Sequence, residues 1–158
     1  MSRRYEARQY SASGVSLRSP KIGEIQDVSL RDVCNDLPVA TTVLIVDDHP
    51  SFRRFARQIL QVAGFAVVDE ADDGASAIAA VKRLQPDVVL LDVLLPDTTG
   101  FELAEALAAE PSSPIVILTS SRTAAELDGA LARSSARGFI AKRDLSGAAF
   151  AALVAEAA

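Results

Sequence analysis

Carboxylates, a hydroxyl and a lysine stand where the apolar segments of this sequence end. Asp47 and Asp48 follow Val43–Val46, Asp92 follows Val88–Leu91, Thr119 follows Ile115–Leu118, and Lys142 follows Gly138–Ala141. Three carboxylates brought together would raise one another's pKa and resist full ionisation unless a cation lay among them. Hard oxygen ligands without a His or Cys cluster favour Mg²⁺ over zinc or iron.

The charges of such a site would leave room for a phosphoryl group. Three aspartates, one Mg²⁺ and one lysine cancel, and phosphorylation of one carboxylate would leave a charge of about −1. Hydroxyl and backbone donors can accommodate that excess. The residue types therefore predict that the carboxylates hold a metal ion and a phosphoryl group.

The segments that would position these residues alternate in type along the chain. The apolar runs, with another at Ala66–Val68, are uninterrupted, as in strands that are covered on both faces. Helix-period stretches lie between them, and the first comprises Phe52, Phe55, Ala56, Ile59, Leu60 and Ala63 before Gly64. Five such βα units predict an α/β fold with a doubly wound, parallel, five-stranded sheet. In such sheets ligands bind beyond the carboxyl ends of the strands.

Several residues have the types and spacing that cap the N-terminus of a helix. Thr99 with Glu102 and Thr123 with Glu126 have the spacing of capping boxes. Asp144 is predicted to cap a final helix that runs through Val154. In the plainest interpretation Asp48 or His49 is the N-cap before Pro50, and we assign His49 to this loop or cap role.

Other charged residues are not assigned to the predicted metal and phosphoryl site. A solvated helix face is the interpretation for Arg53, Arg54 and Arg57. Asp69 and Glu70 end the second apolar run, and the sequence assigns them no role.

The first 41 residues differ from the rest. They are polar and irregular, with six Lys or Arg against five Asp or Glu, whereas the remainder has ten against sixteen. A chain of 158 residues is long enough for one domain. We expect residues 1–41 to form a largely disordered tail, with Ile22–Val33 as the best candidate for a docking segment, and residues 42–158 to form the domain.

Composition excludes several classes of protein. Cys34 is the single cysteine, so neither an internal disulfide nor a two-cysteine metal site can form. An acidic body disfavours direct binding of nucleic acid. No apolar stretch approaches the ~20 residues needed to cross a bilayer, and no signal peptide is evident, so we expect a cytoplasmic location.

Four motifs together resemble a known family. Residues 43–154 resemble the receiver domain of two-component response regulators in VLIVDDHP, VVLLDVLLPDTTG, IVILTSS and RGFIAKRDL, in order and suitably spaced. DDHP with GFIAKRDL is most similar to the subfamily that continues into a C-terminal helix-turn-helix DNA-binding domain. The resemblance implies the flavodoxin-like receiver fold and Mg²⁺ as cofactor.

The resemblance also implies a role for each matching residue. It makes Asp92 the phosphoacceptor, and it makes Asp47 and Asp48 the acidic pair at Mg²⁺, with the Leu94 carbonyl as a further ligand. Thr119 and Lys142 would each bind a phosphoryl oxygen. Thr119 and Phe139 would be the switch residues. The chain departs from the family pattern in its N-terminal tail and at Arg143, where many receivers have a proline that forms a cis peptide bond with the lysine. It also ends at Ala158, so we expect the output domain to be missing.

The expected function is a phosphoryl-accepting signalling switch. A sensor histidine kinase or phosphotransfer protein would donate the phosphoryl group, and a downstream protein would be the target. The output face would be formed by the fourth helix, fifth strand and fifth helix, around residues 123–156. This face is also the candidate contact of a homodimer. The domain would not be an enzyme beyond its own phosphorylation and dephosphorylation.

Three other classes of protein fit this sequence less well. An aspartyl-phosphate phosphatase would place a second acid two residues after the nucleophile, where this sequence has Leu94 after Asp92 and His49 after Asp47. A dinucleotide-binding domain would have a Gly-rich turn after the first strand. A phosphate-independent interaction module would not need the Asp, Thr and Lys set.

Overall fold

Five strands alternate with five α-helices within residues 39–158, the part of the chain that the computed structural model describes. The strands are β1 (Thr42–Val46), β2 (Ala66–Ala71), β3 (Val88–Asp92), β4 (Ile115–Ser120) and β5 (Gly138–Ala141). The helices are α1 (Pro50–Val62), α2 (Gly74–Leu84), α3 (Gly100–Ala108), α4 (Ala124–Arg133) and α5 (Gly147–Ala157), with a 3₁₀ turn at Lys142–Asp144. The predicted α/β alternation is confirmed.

The strands form one parallel sheet in the order β2-β1-β3-β4-β5. The order reverses between β1 and β3, and Val46 lies opposite Leu91 in their register. The residues that follow this pair, Asp47 and Asp92, are therefore brought to the same edge of the sheet. This is the switch point at which ligands bind in open α/β folds.

Both faces of the sheet are covered, as the uninterrupted apolar strands predict. Leu44, Leu91 and Leu118 belong to a cluster on one face with apolar residues of α2, α3 and α4. Ile45 and Leu90 belong to a cluster on the other face with residues of α1 and α5. All five residues of β3 are buried, so the acid at its end stands on a rigid support.

Helix starts follow the predicted signals with one exception. Both capping boxes, at Thr99 and at Thr123, are present. The predicted Asp144 cap is wrong, because the Ser146 side chain accepts the hydrogen bond at the start of α5 while Asp144 lies in the preceding 3₁₀ turn. A short hydroxyl one residue before the helix reaches the free N–H groups, which Asp144 does not.

The strands extend further than their apolar runs. β2 continues through Asp69 and Glu70 to Ala71, and β4 includes Thr119 and Ser120. Backbone pairing with a neighbouring strand keeps these polar residues in the sheet.

The expectations for the tail concern mostly residues 1–38, which lie outside the described residues. Within residues 39–158 no helix is both long enough and apolar enough to cross a membrane.

Candidate functional site

Three aspartates lie at the carboxyl edge of β1 and β3. Asp47, the first residue after β1, is completely buried, and Asp92, the last residue of β3, is 4% exposed. The Asp48 side chain is 36% exposed and therefore reaches solvent. The predicted carboxylate cluster is thus present, with two members inside the protein and one at its rim.

Lys142 places its ammonium between the two buried carboxylates. Its Nζ atom lies 2.5 Å from Asp47 Oδ2 and 3.1 Å from Asp92 Oδ2, and its side chain is 14% exposed. The aromatic ring of Phe52 lies on the same ammonium, with its centroid 4.6 Å from Nζ. Lys142 begins the 3₁₀ turn after β5, so the edge of the sheet itself delivers the charge.

The buried charges perturb one another. Burial and the neighbouring Asp47 carboxylate raise the pKa of Asp92, and the Lys142 ammonium offsets this only in part. Burial alone would lower the pKa of Lys142, but the contacts with Asp47 and Asp92 outweigh it and raise that pKa above its usual value. Lys142 is therefore cationic at neutral pH. Perturbed carboxylates of this kind are characteristic of functional sites.

His49 lies against the acidic pair. Its Nδ1 atom is 3.1 Å from Asp47 Oδ1 and 2.8 Å from Asp48 Oδ1, and its backbone N–H donates to Asp47 Oδ1 at 2.8 Å. It is also the N-cap residue of α1, without a side-chain cap hydrogen bond, before Pro50. The predicted structural role of His49 is confirmed, and its contact with the carboxylates is an addition.

The cluster fits a hard divalent cation. Asp47, Asp48, His49 and Asp92 each offer a ligand atom, and these atoms lie within 4.8 Å of one another. Asp47 Oδ2 is buried, and its close partner within residues 39–158 is the Lys142 ammonium at 2.5 Å. A carboxylate-rich set of this kind matches the preference of Mg²⁺ for oxygen ligands.

Thr119 stands beside Asp92. The two residues are partners in the β3–β4 register, and the Val93 N–H donates to the Thr119 carbonyl at 3.0 Å. Thr119 Oγ1 is buried and has no hydrogen-bond partner within residues 39–158. An unpaired buried hydroxyl is costly, so it marks a place where a ligand oxygen would be stabilising.

Phe139 lies one step away from Thr119 in the sheet. It pairs with Leu118, whereas Thr119 pairs with Ile140. Phe139 is half-buried against the cluster that contains Leu118. Thr119 and Phe139 are therefore on adjacent strands, offset by one residue in the register.

The loop after β3 is folded tightly onto the acid. The Gly100 N–H donates to the Val93 carbonyl at 2.7 Å, and a Cβ on Gly100 would overlap the Asp92 carbonyl. Leu94 follows with its side chain 60% exposed, and its N–H lies 3.4 Å from Asp92 Oδ1. Gly100 is thus required by close backbone approach.

A cleft of about 300 Å³ opens onto this site. Its lining residues are Asp48, His49, Asp92, Leu94, Leu95, Pro96, Ser120, Ser121, Arg122 and Lys142. A larger cavity, of about 530 Å³, lies between α1 and α5, but no titratable side chain lines it. Of these two cavities, the smaller cleft is the one lined by charged side chains.

The expectation of a merely solvated arginine face is wrong for two of its three members. Arg53 and Arg57 both bind the Glu70 carboxylate, through Nε atoms at 3.2 and 2.7 Å. Arg53 also donates to the Asp47 carbonyl at 2.6 Å, which ties α1 to the acidic loop. Asp69, likewise unassigned from sequence, pairs with Arg83 at 2.7 Å. These partners lie 13 to 17 positions apart, beyond any helical spacing.

A comparison with protein families agrees with this geometry. Residues 43–150 match the family described as the response regulator receiver domain. The chain belongs to this family. Receiver domains are the phosphorylatable signalling components of two-component systems and bind Mg²⁺ at an acidic pocket, which is where the aspartate cluster of this domain lies.

Individual relatives support the same assignment. The nitrate/nitrite response regulator protein NarP of Escherichia coli is 42% identical over 110 residues, which are 67% of this chain and 51% of NarP. The chain therefore spans about half the length of that relative. The DNA-binding response regulator MtrA of Mycolicibacterium smegmatis is 42% identical over 79 residues, 49% of this chain and 33% of MtrA.

Solved structures show the same receiver fold. The chemotaxis response regulator CheY4 of Vibrio cholerae has 25% identity and a TM-score of 0.66, and the match covers 76% of this chain and all of CheY4. The signal receiver domain of NarL from Mycobacterium tuberculosis has 34% identity and a TM-score of 0.65, covering 75% of this chain and 98% of that domain.

Proposed function

We propose that residues 42–158 form a phosphoryl-accepting switch of a two-component phosphorelay, with Asp92 as the phosphoacceptor. The observation that carries the proposal is the position of the Asp92 carboxylate. It stands at the end of a buried strand, on a cleft open to solvent, 3.1 Å from the Lys142 ammonium. A sensor histidine kinase, a phosphotransfer protein or a small phosphodonor would supply the phosphoryl group.

The proposed reaction is an in-line displacement at phosphorus. An oxygen of Asp92 forms the new bond to phosphorus while the bond to the donor, P–N in a phosphohistidine or P–O in an acyl phosphate, breaks with its electron pair on the donor. Lys142 and the Thr119 hydroxyl each bind a phosphoryl oxygen. The free Thr119 Oγ1 supports this role, because it has no competing partner within residues 39–158.

The proposed metal site uses the carboxylates of Asp47, Asp48 and Asp92 and the carbonyl of Leu94. When bound, Mg²⁺ supplies positive charge that offsets the charge of the carboxylates and the phosphoryl oxygens. Asp47 and Asp92 are held inside the protein for this role, and Asp48 remains accessible at the rim.

The proposed output is the face formed by α4, β5 and α5, around residues 123–156. Thr119 ends the strand next to β5, and Phe139 lies within β5. A phosphoryl group near Thr119 gives its hydroxyl a charged acceptor, and Phe139 then repacks. A downstream protein or a second copy of the domain would bind this face, while the acidic composition argues against direct contact with DNA.

The alternatives have less support. A phosphatase of the aspartyl-phosphate type would need a general acid two residues after Asp92, and Leu94 lies there with its side chain in solvent. A phosphate-independent module would have no need for two buried carboxylates sharing one ammonium, an arrangement that costs desolvation energy.

Intact-mass analysis after incubation with acetyl phosphate tests the proposal. The expected result is a gain of one phosphoryl group that requires Mg²⁺, disappears in Asp92→Asn, and persists in the exposed control Asp128→Asn. Asp48→Asn should weaken Mg²⁺ binding by roughly tenfold or more, since a ligand to a hard cation is lost. A mass gain that survives Asp92→Asn would overturn the assignment.

A further inference from the structure

The aromatic ring of Phe52 lies against the Lys142 ammonium of the site, a contact that the proposed phosphorylation does not use. Phe52 is the third residue of α1, and Lys142 follows β5, so the contact joins two elements that are distant in sequence. The 4.6 Å separation between Nζ and the ring centroid is within the ~6 Å range of a cation–π interaction. It is the one cation–π contact within residues 39–158.

The 3₁₀ turn that begins at Lys142 fixes the backbone of this residue but not the direction of its long side chain. The residue after it is Arg143 rather than proline, and the Arg143 side chain is 67% exposed with one long 3.9 Å contact, to Asp144. A lysine side chain has four flexible bonds, so holding its ammonium in one place carries a large entropic cost. Contacts along the side chain must therefore supply the order.

The two carboxylates do not by themselves define one position for the ammonium. Asp47 and Asp92 each attract it, and an ammonium has three donors that can rotate among acceptors. A ring on the ammonium adds an attraction that is strongest over its face, and this restricts where Nζ can lie.

Phe52 is itself well anchored. It packs against the core cluster of α1 and α5, and its ring lies 6.3 Å from the ring of Phe55 at an interplanar angle of 46°. Pro50 fixes the first turn of the helix, and the His49 N–H ties that turn to Asp47. The same loop therefore sets the positions of the acid and of the ring.

We propose that Phe52 is a positioning residue for Lys142, holding its ammonium at the phosphorylation site. The expected effect on phosphorylation rests on the proposed function, whereas the contact between Phe52 and Lys142 does not. The contact itself can be tested in the unphosphorylated protein.

The first test measures the contact alone by NMR of the metal-free protein. In wild type the ring current of Phe52 should shift the Lys142 ε-methylene protons upfield, and Phe52→Leu, which keeps an apolar side chain but has no ring, should abolish that shift. Phe55→Leu is the matched control, because it removes the neighbouring ring of α1 and should leave the shift in place. An unchanged Lys142 signal in Phe52→Leu overturns the proposal.

The second test measures the consequence, as the initial rate of phosphorylation by acetyl phosphate with saturating Mg²⁺. Phe52→Leu should be about 3- to 10-fold slower than wild type, which corresponds to about 0.7–1.4 kcal/mol. Phe52→Tyr, which restores an aromatic face, and Phe55→Leu should stay within about twofold of wild type. If Phe52→Leu is poorly folded in a thermal melt, Phe52→Met replaces it.

A double-mutant cycle separates positioning from a general effect on folding. The affinity for beryllofluoride with Mg²⁺ is measured for wild type, Phe52→Leu, Lys142→Gln and the double variant. The loss caused by Phe52→Leu should vanish when Lys142 is already absent. An equal loss in both backgrounds overturns the proposal. Failure of wild type to be labelled by acetyl phosphate would refute the proposed function instead, and the NMR result would stand apart from it.

Discussion

Asp92 and Asp47 share one ammonium. Asp92 Oδ2 lies 3.1 Å and Asp47 Oδ2 lies 2.5 Å from the same Lys142 Nζ atom. Both carboxylates are buried, so one positive charge faces two negative charges in a place that water screens poorly. The unphosphorylated, metal-free site is therefore short of positive charge.

This shortage predicts that Asp92→Asn stabilises the metal-free domain. Burial and the charge of Asp47 raise the pKa of Asp92. Between the ordinary carboxyl pKa of about 4 and the raised value, the folded state holds more protons than the unfolded state, so the free energy of unfolding falls as pH rises. At pH 7 Asp92→Asn should be more stable than wild type by about 1 kcal/mol.

Urea unfolding at pH 7 and in acid measures this difference. The stabilisation should shrink as the pH falls towards 4, where Asp92 of wild type is also protonated. Addition of Mg²⁺ should stabilise wild type more than the variant, because the variant has lost a charged ligand. A variant less stable than wild type in the absence of metal would contradict the charge shortage.

Gly100 and Gly129 should respond in opposite ways to substitution by alanine. A Cβ at Gly100 would overlap the Asp92 carbonyl and Val93 Cα, which are backbone atoms that cannot move freely. Gly100→Ala should destabilise the domain by about 1–3 kcal/mol. Gly129 lies inside α4, where a Cβ would meet the flexible end of Arg133 at 3.5 Å, so Gly129→Ala should stabilise by about 0.5–1 kcal/mol. Thermal unfolding of the two variants checks both signs, and equal effects would contradict the overlap.

Glu70 should contribute a pH-dependent stability. Burial would raise its pKa, but hydrogen bonds from Arg57 and Arg53 outweigh this and hold the pKa of Glu70 below its usual value. The contribution is present above the ordinary glutamate pKa of about 4.3 and is lost as the pH falls through the lowered value. Glu70→Gln should therefore cost about 1 kcal/mol at pH 7, and the cost should disappear in acid.

Glu110→Gln is the matched control for that measurement. Within residues 39–158 the Glu110 carboxylate has one salt-bridge contact, a long one of 3.7 Å with Lys82. Glu110→Gln should therefore change the free energy of unfolding by less than about 0.5 kcal/mol. Similar losses in the two variants, or a Glu70→Gln loss that persists in acid, would contradict the assigned role of the arginine pair.

The output face should respond to a phosphoryl mimic through Thr119. With beryllofluoride and Mg²⁺, NMR shifts are expected across residues 123–156 as well as near the aspartates. Thr119→Ser keeps the hydroxyl and should retain these shifts, whereas Thr119→Val removes it and should confine them to the site. A coupling of about 1–3 kcal/mol between phosphorylation and partner binding is the expected scale. Residues 123–156 that stay unmoved in wild type would rule out this route.

The sequence by itself determined the fold and the composition of the site. Uninterrupted apolar strands can be covered only by helices on both faces, and this requirement fixes the parallel βα order. Parallel strands end at one edge, so the sequence placed Asp47, Asp92, Thr119 and Lys142 along that edge, and the strand order of the folded sheet brought them together. The capping boxes at Thr99 and Thr123 were also predictable from the sequence, because they depend on hydrogen bonds between residues three positions apart.

Contacts between elements were decided only by the tertiary structure. The pairing of Glu70 with Arg53 and Arg57, and of Phe52 with Lys142, depends on the relative rotation of α1, β2 and β5. No sequence spacing encodes that rotation, because it results from how side-chain volumes fill the space between layers. The same holds for burial: Asp47 and Asp48 are adjacent in sequence, yet the loop after β1 places Asp47 inside the protein and leaves Asp48 at the rim.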